Sequence, residues 1–260
     1  MNRQLNAIFT IAYRDFVKFL RDRSRIIATF IFPFIFIAVL GGSLQSNLGK
    51  QLGYDFLLFT FIGVLAQTLF QSTAAGIISL VEDRENDFSQ EMFVSPISRY
   101  SIILGKILGE SLVSITQVIG IVFMGILIGV HFDPQSLFAL APFVLVICAF
   151  GGAFGVLVLA NLSSQRAANQ VFPFLILPQF FLAGIFNPIK ELPFYLLILS
   201  RIAPLTYAVD FMRAVYYWGK PEYSKVVLFN PVLDFAVMTG MFVVFLLLGT
   251  FLFVRNERNR

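Results

Sequence analysis

FLLFTFIGVLAQTLFQSTAAGIISLV, residues 56–81, carries no charged side chain over its whole length. A bilayer core of about 30 Å requires roughly 20 apolar residues in helical form, so this stretch is long enough to cross a membrane. Five other long apolar stretches, each flanked by charges, lie near residues 26–44, 102–130, 136–160, 167–187 and 232–254. We therefore predict an all-α membrane protein with six transmembrane helices, in which residues 1–260 form a single transmembrane domain.

The composition favours the same class of protein. Hydrophobic residues make up 58% of the 260 residues, charged residues only 13%, and 32 residues are phenylalanine. No soluble core can hide so much apolar surface. The single cysteine, Cys148, falls inside the fourth predicted span and can form no internal disulfide.

The basic residues predict the orientation of the chain. Six spans place both termini on one side of the membrane, together with 13 of the 19 Lys and Arg residues. The remaining six are Lys50, Lys190, Arg201, Arg213, Lys220 and Lys225. By the positive-inside rule, both termini are expected to be cytoplasmic. The net charge of +4 is then a signal of topology, and we expect no nucleic-acid partner.

The N-terminal segment, residues 3–25, has the pattern of an amphipathic helix. One face holds Leu5, Ile8, Phe9, Ala12, Phe16 and Phe19, and the opposite face holds Arg14, Lys18, Arg21 and Arg25. A helix of this kind lies in the plane of the membrane interface. It would either anchor the first span or contact a partner, and the pattern favours neither role over the other.

Polar residues and prolines inside two spans are candidates for a translocation path. Gln67 and Gln71 lie one helical turn apart in the second span, and the fifth span contains Asn169, Pro173 and Pro178. The two prolines should kink the fifth helix and free backbone carbonyls that need partners within the protein. Polar groups at this depth either hold helices together or line a path, and both roles stay open.

The loop between the second and third spans is the most polar internal segment. In VEDRENDFSQEMFVSPISR, residues 81–99, Phe88, Met92 and Phe93 recur at helical spacing before Pro96, which predicts a short helix with an apolar stripe. The alternating acids that begin at Asp83 resemble a calcium loop. We nevertheless predict no calcium site, because Phe88 and Val94 replace the turn glycine and the bidentate acid of such loops.

Two further pairs of charged residues have helical spacing. Lys106 and Glu110 stand one turn apart at the start of the third span, where we predict a local ion pair with snorkelling side chains.

Asp210 and Arg213 lie three residues apart in the outer region 187–230, where we predict a salt bridge. That region is too apolar for a free loop, and its stretch 193–201 is too short to span. We predict short re-entrant helices there, broken at Pro204.

Three segments carry a resemblance to a known family. They are DRENDFSQEMFVSPISRYSIILGKILG at 83–109, ANLSSQRAANQVFPFLILPQFFLAGIFNPIKELP at 160–193 and APLTYAVDFMRAVYY at 203–217. Together they resemble the permease subunits of type 2 ATP-binding-cassette (ABC) exporters, and the nearest branch looks like the daunorubicin-resistance and nodulation-export permeases. The resemblance covers essentially the whole chain.

The resemblance implies a six-span subunit that dimerises, with itself or with a similar permease, and docks cytoplasmic ABC ATPase subunits in a bacterial plasma (inner) membrane. Residues 1–25 would form the connecting helix, residues 82–100 the coupling loop, and residues 187–230 an extracellular lid. The coupling residues would be Asp83, Arg84, Glu85, Phe88, Met92, Phe93 and Pro96. The lid residues would be Pro188, Pro204, Asp210 and Arg213. Asp87 stands where the family commonly has a glycine.

The chain contains no G-x-x-x-x-G-K-[ST] phosphate loop. We therefore expect no cofactor on this chain, with ATP and Mg on the partner ATPase, and no enzymatic activity of its own. The expected substrate is a hydrophobic drug, a lipid or a lipid-linked glycan. A secondary transporter or channel not driven by ATP is the alternative, although it would need ionisable residues near the midplane. An intramembrane enzyme would need converging catalytic groups, which the sequence does not offer.

Overall fold

The computed structural model describes residues 3–43, 45–46, 53–85 and 97–258, and the regular elements in these ranges are helices. The first half contains α1 (Arg3–Arg21), α2 (Arg23–Phe34), a π-helical stretch (Ile35–Gly41), α3 (Phe56–Gly76), α4 (Ile78–Glu85) and α5 (Arg99–Ile128). The second half contains α6 (Pro134–Phe138), α7 (Ala141–Val158), α8 (Gln165–Leu182), a 3₁₀ turn (Ile189–Glu191), α9 (Phe194–Ile202), α10 (Pro204–Tyr216), α11 (Tyr223–Val226) and α12 (Pro231–Arg258).

The prediction of an all-helical membrane protein is confirmed. Four helical segments in the described ranges are long and apolar enough to cross a membrane, namely Phe56–Asp83, Arg99–Ile128, Ala141–Val158 and Tyr223–Asn256. Helices α9 and α10 meet at an angle of 90°, as in a broken span or a re-entrant loop. The first and fifth predicted spans correspond to α2 with its π-helical continuation and to α8. The full six-span arrangement stays a prediction.

The predicted N-terminal amphipathic helix is present as α1, and it lies along α5. Its buried side chains include Ile11, Ala12 and Phe19. The close approach depends on Gly109 of α5, where an added Cβ would stand 3.0 Å from both the Cα and the carbonyl oxygen of Ala12. Since those are backbone atoms, a larger residue at this position would push α1 away from α5. Helix α1 ends at Arg21, and the carboxylate of the next residue, Asp22, accepts a hydrogen bond from Arg25 N at 2.9 Å and so caps α2.

Helix α3 forms the centre of the domain, and α5, α7 and α10 pack around it. Most of its side chains are buried, including Phe59, Phe61 and Phe70. A Cβ on Gly151 of α7 would stand 2.3 Å from the carbonyl oxygen of Phe70, so α7 packs closely against α3 at this glycine. Helix α8, by contrast, has few neighbours, and one of its sides is exposed over most of its length.

Candidate functional site

A cluster of buried charges lies at the N-terminal end of α5, and we call Arg14, Asp15, Asp83 and Lys106 the inner charge cluster. The Lys106 Nζ stands 3.1 Å from Asp15 Oδ2 and 2.5 Å from Asp83 Oδ2. The Arg14 Nη2 stands 2.9 Å from Asp15 Oδ1 and 2.6 Å from Asp83 Oδ2. Two cations therefore bridge two carboxylates, and the cluster joins α1, α4 and α5.

The members of this cluster are removed from solvent to different degrees. The Lys106 side chain is fully buried, and it also donates to Ser79 Oγ at 3.0 Å. The carboxylates of Asp15 and Asp83 are 2% and 6% exposed, and Arg14 is 26% exposed. Burial opposes the charged form of Arg14, but the neighbouring carboxylates of Asp15 and Asp83 outweigh it and raise the pKa of that guanidinium. Arg14 is thus a permanent cation at the edge of the cluster.

The predicted ion pair between Lys106 and Glu110 is wrong. Lys106 does not snorkel towards solvent, because the carboxylates of Asp15 and Asp83 surround its ammonium group inside the protein. Glu110 is also buried, and it accepts from Arg25 Nη2 at 2.9 Å. The helical spacing places both residues on one side of α5, but each binds a partner on another helix.

Helix α1 holds both ends of the loop that was predicted to couple to an ATPase. At the first end, Asp83 binds Arg14 at 2.6 Å and Lys18 at 3.8 Å. At the second end, Gln4 Oε1 accepts from Ser98 N at 3.0 Å and from Ser101 Oγ at 2.8 Å. One amphipathic helix thus fixes the two points from which the loop emerges.

The predicted coupling residues divide between the described and the undescribed parts of the chain. Asp83 belongs to the inner charge cluster, and Arg84 and Glu85 end α4. The remaining four lie outside the described residues; they are Phe88, Met92, Phe93 and Pro96.

A polar groove of about 220 Å³ lies between α2, α3 and α5. Its lining includes Gln67 and Gln71, whose amides bond to each other, and Gln117, whose Nε2 donates to Thr29 Oγ1 at 3.3 Å. The structure therefore brings the two predicted path residues of the second span into one groove. Gln117 belongs to the same groove and was missed, because it is the one amide of the third span and has no second amide a helical turn away.

The three predicted path residues of the fifth span do not line this groove. Asn169, Pro173 and Pro178 are exposed on α8, which continues as one helix through both prolines. A different residue of α8 makes the connection to the outer region: Gln179 Oε1 accepts from Leu205 N at 3.2 Å, and Gln179 Nε2 donates to the Leu175 carbonyl at 3.0 Å. Gln179 therefore ties α8 to the first turn of α10.

The outer region is built around a buried arginine. Arg213 donates to the carbonyl oxygens of Gly184 at 2.7 Å, Ile185 at 3.2 Å and Phe59 at 3.2 Å. Its guanidinium carbon lies 3.4 Å from the centre of the Phe59 ring. These contacts join α10, the turn after α8 and the start of α3, so Arg213 holds the short helix against the centre of the domain.

The predicted salt bridge between Asp210 and Arg213 is wrong. Arg213 is directed at backbone carbonyls, whereas Asp210 accepts from Leu228 N and Phe229 N, each at 2.7 Å. Both side chains bond to backbone groups because α10 is buried on several sides, so that neighbouring segments of the chain surround each of them. The other two predicted lid residues stand at the ends of short elements: Pro188 precedes the 3₁₀ turn, and Pro204 begins α10.

Comparisons with known proteins match most of the chain. The family described as "ABC-2 type transporter" matches residues 6–217. A putative transport permease, ycf38, from Cyanophora paradoxa is 26% identical over 216 residues, which cover 82% of this chain and 74% of that protein. The ycf38 protein of Porphyra purpurea is 25% identical over 219 residues with the same coverage.

A third relative is a longer protein. The probable multidrug ABC transporter permease YbhR of Escherichia coli K12 is 27% identical over 165 residues, and the match covers 61% of this chain but only 41% of YbhR.

Proposed function

Because the chain belongs to the ABC-2 type transporter family, we propose that it is the membrane-spanning permease of an ATP-driven exporter. Members of this family are membrane transport components and normally work with an ATP-binding subunit. We infer six spans, with both termini in the cytoplasm of a bacterial cell, and a dimer of permeases as the working unit. ATP and Mg would be bound by the separate ATPase subunits.

The attachment of α1 to both ends of the loop 86–96 is the observation that carries this proposal. A loop that only connects two spans has no need of a buried ionic cluster at one end and a glutamine bridge at the other. A loop that receives force from a partner needs rigid supports, because otherwise it would bend without moving the spans. The supports here lead to α1, α4 and α5.

The polar groove between α2, α3 and α5 is the best-supported part of a substrate path. Its amide and hydroxyl groups can hold polar parts of a substrate, while its Ala, Phe and Pro residues offer apolar contact. This mixture suits an amphipathic molecule such as a hydrophobic drug, a lipid or a lipid-linked glycan. The name of the Escherichia coli relative, a probable multidrug permease, favours the first of these classes.

One form of the alternative, a transporter driven by a proton gradient, requires a titratable group in the path. Arg25 is the charged residue among the described residues of the groove, and it is paired with Glu110. An arginine in an ion pair is a poor proton carrier, since it stays charged at all ordinary pH values. The groove therefore favours energy supply by a partner.

The decisive experiment is co-reconstitution with a candidate ABC ATPase subunit. The Met92→Glu variant should lose both ATPase binding and ATP-dependent export, because it places a charge on the apolar stripe of the helix predicted from the sequence. The control is Gln90→Glu, which adds the same charge on the side of that predicted helix opposite Met92 and should retain both activities. Unchanged ATPase binding and export in Met92→Glu would refute docking at this stripe, and transport that follows a proton gradient without ATP would refute the proposed energy source.

A further inference from the structure

Two buried carboxyl groups meet between α10 and α12, in the outer region. Asp210 is 2% exposed and Asp234 is fully buried. Helices α10 and α12 pack against each other, and Asp210 is bonded to residues just before the start of α12, so the two carboxyl groups are close enough to interact. Two ionised carboxylates in contact inside an apolar environment repel each other strongly, so such a pair is stable only when it shares a proton.

The surroundings decide which of the two is ionised. Each oxygen of Asp210 accepts from a backbone N–H, that of Leu228 or Phe229, at 2.7 Å, and fixed donors of this kind stabilise the carboxylate form. Neither oxygen of Asp234 has a donor in the structure. A buried acceptor without a donor costs free energy, and protonation removes that cost by turning one oxygen into a donor.

The start of α12 offers Asp234 no other donor. Asp234 lies in the first turn of the helix, where free backbone N–H groups could in principle bind a carboxylate. Here Asn230 takes those groups: its Oδ1 accepts from Val232 N at 2.9 Å, and its carbonyl accepts from Leu233 N at 2.9 Å and from Asp234 N at 3.1 Å. The residue before Val232 is Pro231, which has no N–H.

We propose that Asp210 and Asp234 form a proton-binding site, in which Asp234 carries the proton and donates it to the Asp210 carboxylate. The bound proton joins the buried short helix α10 to the final span α12. A metal cation is a poor occupant, because the two N–H groups that point at Asp210 would repel it. This site goes beyond the proposed export function and does not depend on it.

Other ionisable groups surround the pair. Tyr207 of α10 and Tyr223 of α11 are close enough to interact electrostatically with Asp234, and Arg213 of α10 interacts with Asp210. Arg201 of α9 lies over the Phe229 ring, 5.9 Å from its centre. Arg213 is already bound to three carbonyls, which leaves Asp234 without a cation of its own. The arrangement therefore favours a neutral Asp234.

Infrared spectroscopy tests the site directly on the permease in lipid nanodiscs at pH 7. The wild type minus Asp234→Asn difference spectrum should contain the carbonyl band of a protonated carboxylic acid, whereas the wild type minus Glu222→Gln spectrum should show only carboxylate bands. The Asn side chain keeps a donor to Asp210, so the variant should fold. A carboxylate band in place of the acid band would overturn the proposal.

Melting measurements between pH 5 and 8 supply a second readout. A carboxyl that stays protonated in the folded protein but ionises on unfolding makes stability fall as pH rises. The unfolding equilibrium of the wild type should therefore shift by about tenfold per pH unit relative to Asp234→Asn, and Glu222→Gln should follow the wild type. Parallel pH profiles for the wild type and Asp234→Asn would overturn the proposal. It would also be overturned if added Na⁺ or Ca²⁺ stabilised the wild type but not Asp234→Asn, because the site would then bind a metal cation.

A second variant keeps the proposal testable if Asp234→Asn does not accumulate. Asp210→Asn replaces the ionised acceptor with a neutral one, so the hydrogen bond from Asp234 weakens and the acid band of Asp234 should move to higher frequency. An infrared spectrum without any shifted acid band would show that Asp234 holds no proton directed at Asp210.

Discussion

Replacement of Lys106 by methionine should destabilise the permease far more than the same replacement of Lys18. Both lysines approach the same carboxylate, Asp83. The Lys106 side chain is fully buried and its Nζ lies 2.5 Å from a carboxylate oxygen, whereas the Lys18 side chain is 52% exposed and its Nζ lies 3.8 Å away. Methionine retains the length and apolar stem of lysine and removes only the charge. The two variants therefore compare a buried and an exposed ion pair that share one partner.

The expected loss of stability in each variant follows from the charges that remain after the substitution. Without Lys106, Asp15 and Asp83 keep Arg14 as a shared cation, and only the exposed Lys18, 3.8 Å from Asp83, is left to balance the second buried negative charge. Loss of one partner from a buried ion pair costs about 3–5 kcal/mol. We expect the lower end of that range, because Arg14 compensates in part. Loss of an exposed pair costs about 0.2–1 kcal/mol, which is the expectation for Lys18→Met.

Thermal unfolding of the purified permease in detergent measures the difference. Lys106→Met should melt well below Lys18→Met, and the double variant Lys106→Met with Asp15→Asn should recover part of the loss, because it removes the uncompensated carboxylate. If Lys106→Met and Lys18→Met melt together, the cluster contributes nothing to stability. If the double variant is no better than Lys106→Met alone, the loss arises from packing and not from charge.

Two further substitutions test contacts that the structure identifies. Gly109→Leu should detach α1 from α5 and expose α1 to limited proteolysis, because the new Cβ would meet Ala12 backbone atoms at 3.0 Å. The control is Gly240→Ala, which should leave α1 protected because no atom lies within 4 Å of the added Cβ. Arg213→Met should lower stability by at least about 2 kcal/mol, since a buried carbonyl left without its donor costs about 1–3 kcal/mol and the variant leaves those of Gly184 and Ile185 without one. The exposed Arg201→Met should change stability little. Equal melting temperatures for these two arginine variants would contradict the assigned role of Arg213.

Hydrophobic length and helical periodicity predicted the helices well. The amphipathic N-terminal helix was found from its two faces, and the short helices α9 and α10 from the length of the apolar run and the position of Pro204. These features depend on neighbouring residues alone. A chain in a bilayer must satisfy its backbone hydrogen bonds within each segment, which is why local pattern decides so much of this fold.

The partners of buried charges could not be predicted in the same way. Spacing suggested that Lys106 binds Glu110 and that Asp210 binds Arg213, but each of these side chains binds a group far along the chain or on the backbone. Lys106 finds Asp15, 91 residues earlier, because Gly109 allows α1 to lie against α5. Helix spacing states which residues share a face, whereas the packing of helices decides what that face meets.

The contacts of α5 connect the loop supports to the polar groove. Lys106, Glu110 and Gln117 are spaced four and seven residues apart, so they lie in one row along the same side of the helix. The first binds α1 and α4, whereas the other two bind Arg25 and Thr29 of α2, and Gln117 lines the groove. A displacement of the loop ends must either break the buried contacts of Lys106 or move α5 with them, and breaking them is costly. Under the proposed function, α5 is therefore the element through which we expect movement of the loop to reach the groove.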